Sequence, residues 1–365
     1  MRVLHVTDHY PTVTGGIESH VANLATRQAA AGHDVRVLTS TPARAEGGWS
    51  GDSGPVEVVR ARTLLDGWRT TTRDVDVVHA HVSVVAPFTA PVVAGLARRG
   101  VPTVVTVHSL WDGLGPLPMW AAAVAGLRSA PVSWTAVSAV AAGQVVRRLP
   151  PGRPVRLLPN AVEVPPRART REPDGPVKVV STMRLAARKR PLELVRLFDR
   201  LRASTEVPVT LNLIGDGPLR PRIEHEIRRR RLGGLVTMSG SVHNSTVRRI
   251  LASCDIYVAP ARLESFGLAA LEARSVGLPV VGLAATGLTE FVRDGVEGLL
   301  ARDDHGLLDG VARLVDDPSL RFGISERNRC IPAAHTWPRA LLLHDQTYAE
   351  AVAARPPANH PAVAP

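Results

Sequence analysis

Short runs of β-branched and aliphatic residues alternate with helix-forming stretches along almost the whole chain, and few architectures accept that rhythm. In the first half, residues 3–7, 34–39, 76–80, 103–108, 133–137 and 155–159 read as strands. An amphipathic helix over 18–31 is stopped by Gly32. A second series opens at 177–181 and continues through 209–214, 236–238 and 256–259. These runs are apolar nearly throughout, the pattern of strands covered on both faces. Such strands, alternating with helices, predict an α/β fold of doubly wound parallel sheets. With 365 residues the chain is long for one such domain and comfortable for two.

The two series are separated by a stretch rich in proline and charge and poor in apolar residues, which places a linker at 166–176. The expected domains are therefore 1–165 and 177–339. A helix is expected from Trp337 to about Ala353, and 355–365 reads as a disordered tail. Two cysteines, Cys254 and Cys330, suggest no disulfide framework and fit a reducing compartment. The first residues enter a strand with no signal-peptide pattern, and no apolar run reaches 18 residues, so a cytoplasmic protein is expected.

The formal charge is +11, and all but two of the 44 basic residues are arginine, the exceptions being Lys178 and Lys189. That surplus is compatible with peripheral contact at an anionic membrane or with a phosphorylated acceptor. Arginine-rich codon usage explains it equally well. The Arg228–Arg231 run is expected to close a helix as solvated cations. No nucleic-acid motif is present and no aromatics interleave with the arginines, which excludes nucleic acid as a partner.

The chemistry concentrates around Glu264 and Glu272. Residues 256–259 make a short strand closed by Pro260, Ser265-Phe-Gly267 forms a turn, and 268–274 are strong helix formers. Glu264 thus stands at a strand-to-helix junction, with Glu272 about 12 Å further along the helix axis. The first helical turn between them offers unpaired N–H groups and a positive dipole end, a natural seat for phosphate. A carboxylate on each side can accept hydrogen bonds from hydroxyls flanking that phosphate, which is the shape of a nucleotide sugar.

The stretch 254–301 resembles glycosyltransferase family 4, the retaining, nucleotide-sugar-dependent enzymes of GT-B fold. It carries Glu264-Ser-Phe-Gly, Gly277-Leu-Pro-Val-Val, Ala285-Thr-Gly-Leu and Asp294-Gly-Val-Glu-Gly-Leu in the family's order, the last expected from that resemblance to form a hairpin. The resemblance implies two Rossmann-like domains facing an inter-domain cleft. It also implies an acceptor-side first domain, a donor-binding second domain, and a C-terminal helix (340–354) packed back onto the first. The Gly-Gly-x-Glu motif maps its diphosphate-approaching glycine to Gly16. Arg184 and Lys189, after the first strand of the second half, match the family's diphosphate-binding Arg and Lys. Thr182 and Met183 stand where glycine is usual, as does Arg190.

His108, at a strand end and pointing into the cleft, is expected to contact the donor sugar or its phosphate. Glu264 is expected to hold sugar hydroxyls and Glu272 the ribose. Val242, Phe266, Gly267 and Leu268 complete the donor site. His79 and His81 rank lower, His5 and His9 have no role, and Asn160 belongs to a structural hinge motif. With no placed Asp-x-Asp and no His/Cys ligand cluster in the sequence, neither metal nor cofactor is expected beyond a UDP- or GDP-sugar co-substrate. The acceptor is a glycan, lipid or small-molecule hydroxyl. Variable loops at 41–74 and 110–120 would receive it, with Trp111, Met119 and Trp120 either stacking on it or packing in the core. A GT-B phosphorylase and a non-catalytic nucleotide-sugar- or glycan-binding subunit remain as alternatives.

Overall fold

The computed structural model describes residues 1–11, 15–42, 55–61, 63–64, 66, 75–83, 86–111, 126–150, 152–164 and 175–354. The chain forms two compact units, Met1–Pro159 with Pro338–Pro365, and Asn160–Trp337. Most of the expected linker, the 355–365 tail, Met119, Trp120 and much of the two acceptor loops lie outside the described residues.

The first unit is built on a seven-stranded sheet. Its strands are β1 (Arg2–Thr7), β2 (Asp34–Thr39), β3 (Glu57–Arg60), β4 (Val77–Val82), β5 (Thr103–Val107), β6 (Ser133–Ala136) and β7 (Val155–Leu157). They are all parallel in the order β3-β2-β1-β4-β5-β6-β7. Strand order reverses between β1 and β4, which makes the carboxyl ends of those strands the natural ligand position. Helices α1 (Gly16–Ala30), α2 (Thr89–Arg98) and α3 (Ala139–Val146) connect them. Strand β3 was not anticipated. It is a four-residue edge strand inside the stretch read as a variable loop, too short for its alternation to stand out.

The second unit holds β8 (Val177–Thr182), β9 (Val209–Ile214), β10 (Val236–Gly240), β11 (Ile256–Ala259), β12 (Val280–Leu283) and β13 (Gly298–Ala301). These six are parallel in the order β10-β9-β8-β11-β12-β13, with the reversal between β8 and β11. Around them lie α4 (Pro191–Ser204), α5 (Arg220–Arg229), α6 (Asn244–Ala252), α7 (Leu268–Ser275), α8 (Asp304–Asp316) and α9 (Pro318–Cys330). Local chemistry sets the helix starts. Asp303 caps α8 by accepting from the Gly306 N–H at 2.9 Å, and Asp317 caps α9 by accepting from Leu320 at 2.9 Å, ahead of Pro318 at the first helical position.

From Pro338 onward the last helix, α10 (Trp337–Ala353), belongs to the first unit. Tyr348 and Ala351 pack there with Val3, Val37, Val77 and Val104 on one sheet face and Val21 and Ala25 of α1. The opposite face buries Leu4, Val6, Val78, Ala80 and Val105 against Val92, Val93 and Leu96 of α2.

Two expectations are corrected. The Asp294-Gly motif does not form a hairpin, because β13 pairs parallel with β12 and the segment before it is a turn. Arg229 and Arg230 do not simply end α5 in solvent. Both donate to Glu226, as does Arg196, and this hydrogen bonding holds the Glu226 carboxyl far below the usual carboxylate range.

Within the same motif Glu297 is 3% exposed, with Arg274 at 3.7 Å and Arg327 at 3.6 Å. Asn328 donates to the carbonyls of Leu278 (2.9 Å) and Glu297 (3.0 Å), tying α9 to the sheet. Glu297→Ala would strand a buried guanidinium and is expected to cost about 3–5 kcal/mol. Calorimetry should show this as a lower unfolding temperature for the second unit, and a shift under a degree would contradict it.

Candidate functional site

In the second unit the segment after β8 crosses directly over Gly215. That glycine has φ +127°, and a Cβ there would lie 2.0 Å from the Met183 carbonyl oxygen. Gly215-Asp-Gly217, which lacks the dinucleotide fingerprint, therefore serves close packing of two loops rather than a cofactor. The segment ends at Arg190, which adopts the left-handed conformation (φ 60°, ψ 44°) that glycine favours. Its guanidinium grips Asp304 with two bonds of 2.8 and 2.6 Å and donates to the Pro260 carbonyl at 3.0 Å. The backbone geometry thus survives without glycine, with a forked ion pair offsetting the strain.

Lys189, one residue earlier, donates from Nζ to Glu264 Oε2 at 2.6 Å. Glu264 follows β11, and its carbonyl accepts from the Gly287 N–H at 2.8 Å. Gly267 caps the start of α7 at φ +91°, where a Cβ would meet Leu288 at 2.6 Å. Phe266 is buried against Phe291 and His335, with ring centroids 5.5 and 5.4 Å away. Leu268 opens α7, so the first-turn N–H groups follow directly on the Glu264 turn.

Glu272 is partly buried on α7, and burial pushes its carboxyl up to about 7 against the opposing pull of Arg248. Among the described residues no hydrogen bond reaches that carboxylate. The Tyr257 hydroxyl accepts from the Thr182 N–H at 3.4 Å and donates to the Thr182 carbonyl at 3.2 Å. Burial, and then the charges of Glu264 and Glu272, hold this phenol above its ordinary range, so both carboxylates act on one buried hydroxyl. Tyr257 was not singled out in the sequence, where it reads as one more apolar position of β11. Arg188 also feels Glu264, which raises its pKa against the larger lowering by burial. Arg184 is exposed, and its guanidinium makes no ion pair with a described residue. Val242 is partly buried between β10 and α6.

In the first unit Gly16 is the first residue of α1, behind the extended Gly15, and a Cβ on it would meet nothing within 4 Å. His108 directly follows β5, is 5% exposed and turns Nε2 inward to His81 Nδ1 at 3.0 Å. The sequence shows no ligand cluster, but folding assembles one. His5, His79 and His81 are fully buried, and their candidate ligand nitrogens lie within 4.8 Å of one another.

The signal was a two-residue period. His5 on β1 is in register with His79 on β4, and His81 lies two positions on, on the same face. All six ring nitrogens have partners. His5 reaches His81 Nε2 (2.9 Å) through Nδ1 and Gln28 Oε1 (2.7 Å) through Nε2. His79 reaches the Tyr348 hydroxyl (2.8 Å) and Thr106 Oγ1 (2.7 Å). The donor set is therefore satisfied as neutral imidazoles, and a divalent ion would have to break it with no carboxylate among the described residues of the cluster to balance its charge.

Comparison with known proteins adds findings of three kinds. A family model described as Glycosyltransferase Family 4 matches residues 14–164, and one described as Glycosyl transferases group 1 matches 166–337. A glycogen synthase of Mycobacterium tuberculosis is 30% identical over 369 residues, covering 87% of each chain. A D-inositol 3-phosphate glycosyltransferase of Stackebrandtia nassauensis is 31% identical over 198 residues, covering 52% of this chain and 45% of its own. Among solved structures, Anabaena HepE in complex with UDP and glucose superposes with a TM-score of 0.80 at 17% identity, covering 96% of this chain and all of its own. The fold is the two-domain GT-B arrangement. Among the described residues no helix is long and apolar enough to cross a membrane.

Proposed function

Because this chain belongs to glycosyltransferase family 4, we propose that it moves a sugar from a UDP- or GDP-sugar to a hydroxyl of a glycan, lipid or small-molecule acceptor with retention at the anomeric carbon. The observation that carries the donor reading is Glu272, a partly buried carboxylate that no described residue hydrogen-bonds, sharing the Tyr257 hydroxyl's surroundings with a Glu264 already held by Lys189. Glu272 accepts from the ribose hydroxyls and Glu264 from the sugar. The diphosphate sits at the α7 N-terminus, where Phe266, Gly267 and Leu268 present backbone N–H groups, with Val242 beside the nucleotide. On the resemblance alone, Gly16 is assigned to the diphosphate and His108 to the sugar or its phosphate. The glycosyltransferase relatives and the UDP and glucose held by HepE support a nucleotide-sugar donor.

In the reaction the bond from the anomeric carbon to the phosphate oxygen breaks, and its electron pair leaves with the diphosphate. The acceptor oxygen bonds to the same face of that carbon, and the acceptor proton passes to the leaving oxygen. Lys189, Arg184 and the helix dipole stabilise the charge that develops there.

Glu272→Gln separates binding from folding. The folded pKa of Glu272 lies above its unfolded value, so the carboxylate lowers stability increasingly from about pH 4.5 to 7 and by a constant amount above that. The amide should therefore raise apo stability at pH 8 by about 2–4 kcal/mol. Loss of charged hydrogen bonds to ribose should weaken UDP about 10- to 100-fold, with inorganic diphosphate unaffected. Calorimetric titration and thermal unfolding read both effects, and an unchanged UDP affinity would remove Glu272 from the site.

A further inference from the structure

We propose that the second unit holds a site for a small phosphate monoester with an apolar carbon body, set between α4 and the start of α8 and separate from the proposed donor site.

A partly open pocket of about 160 Å³ lies there. Leu194 and Leu197 of α4, Pro260 behind β11 and Leu307 of α8 line it, and all four are buried. Water inside meets mostly carbon, so an apolar body gains by displacing it. A volume of that order takes one small ring or a short carbon skeleton.

Cations stand beside this lining. Arg196 and Arg200, four positions apart on α4, share a helix face with Leu197, and both border the pocket. Both are exposed. Among the described residues Arg200 has no ion pair or hydrogen bond, and Arg196 commits only Nε, to Glu226 at 3.1 Å. Glu226 also accepts from Arg229 and Arg230, so three guanidiniums share one carboxylate. Asp199, the other acid nearby, pairs with Arg202 and Arg230. Positive charge is therefore left over beside the pocket.

Two guanidiniums one turn apart, about 6 Å along the axis, can each form charge-assisted bonds to one tetrahedral group. A phosphate monoester brings nearly two negative charges and three terminal oxygens at neutral pH. A carboxylate brings one charge and would leave one guanidinium unanswered.

The opposite end of the pocket sets the orientation. There Arg190 is forked onto Asp304 at 2.8 and 2.6 Å, Asp304 also accepts from Arg262 at 3.1 Å, and Glu193 adds a second carboxylate. That end repels a phosphate, so the charged head lies with Arg196 and Arg200 and the carbon body reaches toward Pro260. None of Lys189, Glu264, Gly267 and Glu272 lines the pocket, which sets it apart from the phosphate seat at the α7 N-terminus.

The test titrates phenyl phosphate calorimetrically into the full chain with UDP at saturation, so that the donor seat is filled. Wild type should bind one equivalent. Arg200→Ala should weaken that binding about 10- to 100-fold, the usual cost of losing charged hydrogen bonds, with the melting temperature unchanged. Arg202→Ala removes the same charge from α4 outside the pocket. It should leave the affinity within about twofold, as should Lys189→Ala. Inorganic phosphate should bind roughly tenfold more weakly or worse, for want of the carbon body. A wild type that binds no phenyl phosphate would overturn the proposal. So would equal losses in Arg200→Ala and Arg202→Ala, the mark of diffuse charge attraction, or equal affinity for inorganic phosphate, the mark of an ion site without an apolar pocket. Loss of binding in Lys189→Ala would put the probe in the donor seat and overturn it too. If UDP fails to bind wild type, the donor reading falls, and the comparison of Arg200→Ala with Arg202→Ala still decides this one.

Discussion

Lowering the pH from 7 to 5 should unfold the first unit while the second remains folded. Six histidines of that unit, His5, His20, His79, His81, His108 and His344, have folded pKa values below the ordinary value of 6.5, with burial the largest cause in each. Repulsion from neighbouring histidines adds to this for His5, His20, His79, His81 and His108, while for His344 the hydrogen bond to the Ala340 carbonyl, and then Asp345, partly offset burial.

For a depressed histidine pKa the sign is clear. Stability is fully present above the unfolded pKa and falls below pH 6.5, because the unfolded chain takes up protons that the folded chain refuses. The loss continues toward the folded values, about 4 for His5 and about 3 for His108. Each histidine contributes roughly 1 kcal/mol per pH unit in that window. Six together amount to about 5–10 kcal/mol by pH 5, comparable with the whole stability of a domain. Urea unfolding at pH 7, 6 and 5, followed by hydrogen exchange in each unit, checks this. A first unit whose midpoint is flat across that range would show that the histidines are not buried as neutral groups. His5→Gln should reduce the slope by about one proton.

Lys189→Ala is expected to lower kcat/KM for donor turnover by about 10²–10³, the usual loss when one preorganised charge facing a leaving group is removed. Lys189 Nζ lies 2.6 Å from Glu264, with the two side chains 35% and 18% exposed. A pair so open to solvent contributes at most about 1 kcal/mol to folding. The unfolding temperature should therefore barely move while activity collapses. Glu264→Ala should show the same split, because in the proposed site its loss deprives the sugar hydroxyls of their acceptor. The double variant should lose far less than the product of the two single losses, since each residue positions the other. Activity within a few-fold of wild type for both single variants would refute the assignment. The experiment needs only UDP release from UDP-glucose and a melting curve.

Much of this site was legible before any coordinates. Glu264, Gly267 and Glu272 are close in sequence, and the strand–turn–helix that spaces them follows from local preference: a β-branched run, a proline stop and a series of strong helix formers. Lys189 is 75 residues from Glu264, and no local rule joins them. Its place came from the family motif, and their contact exists because β8 and β11 are neighbours at the strand-order reversal. Arg190 shows the reverse failure. Its replacement of glycine put the loop in doubt, yet Asp304, 114 residues away, supplies the anchor that lets a non-glycine residue hold a left-handed backbone.

The histidines draw the line most clearly. Read one at a time, His79 and His81 ranked as lesser candidates at a strand end, His5 had no role, and His344 and Tyr348 were two positions on a late helix. By itself the sequence determined most of the strand segments (though not β3), which residues share a face by their two-residue period, and how far apart the two glutamates stand, because those depend on neighbours along the chain. Only the tertiary structure decided that β1, β4 and β5 lie side by side with His5 opposite His79 and His81 opposite Thr106. It likewise decided that α10 returns to lay Tyr348 between Gln28 and His79. A hydrogen bond formed across 269 or 320 residues is set by strand order and register, and those are fixed by the packing of whole elements rather than by any stretch of sequence around either partner.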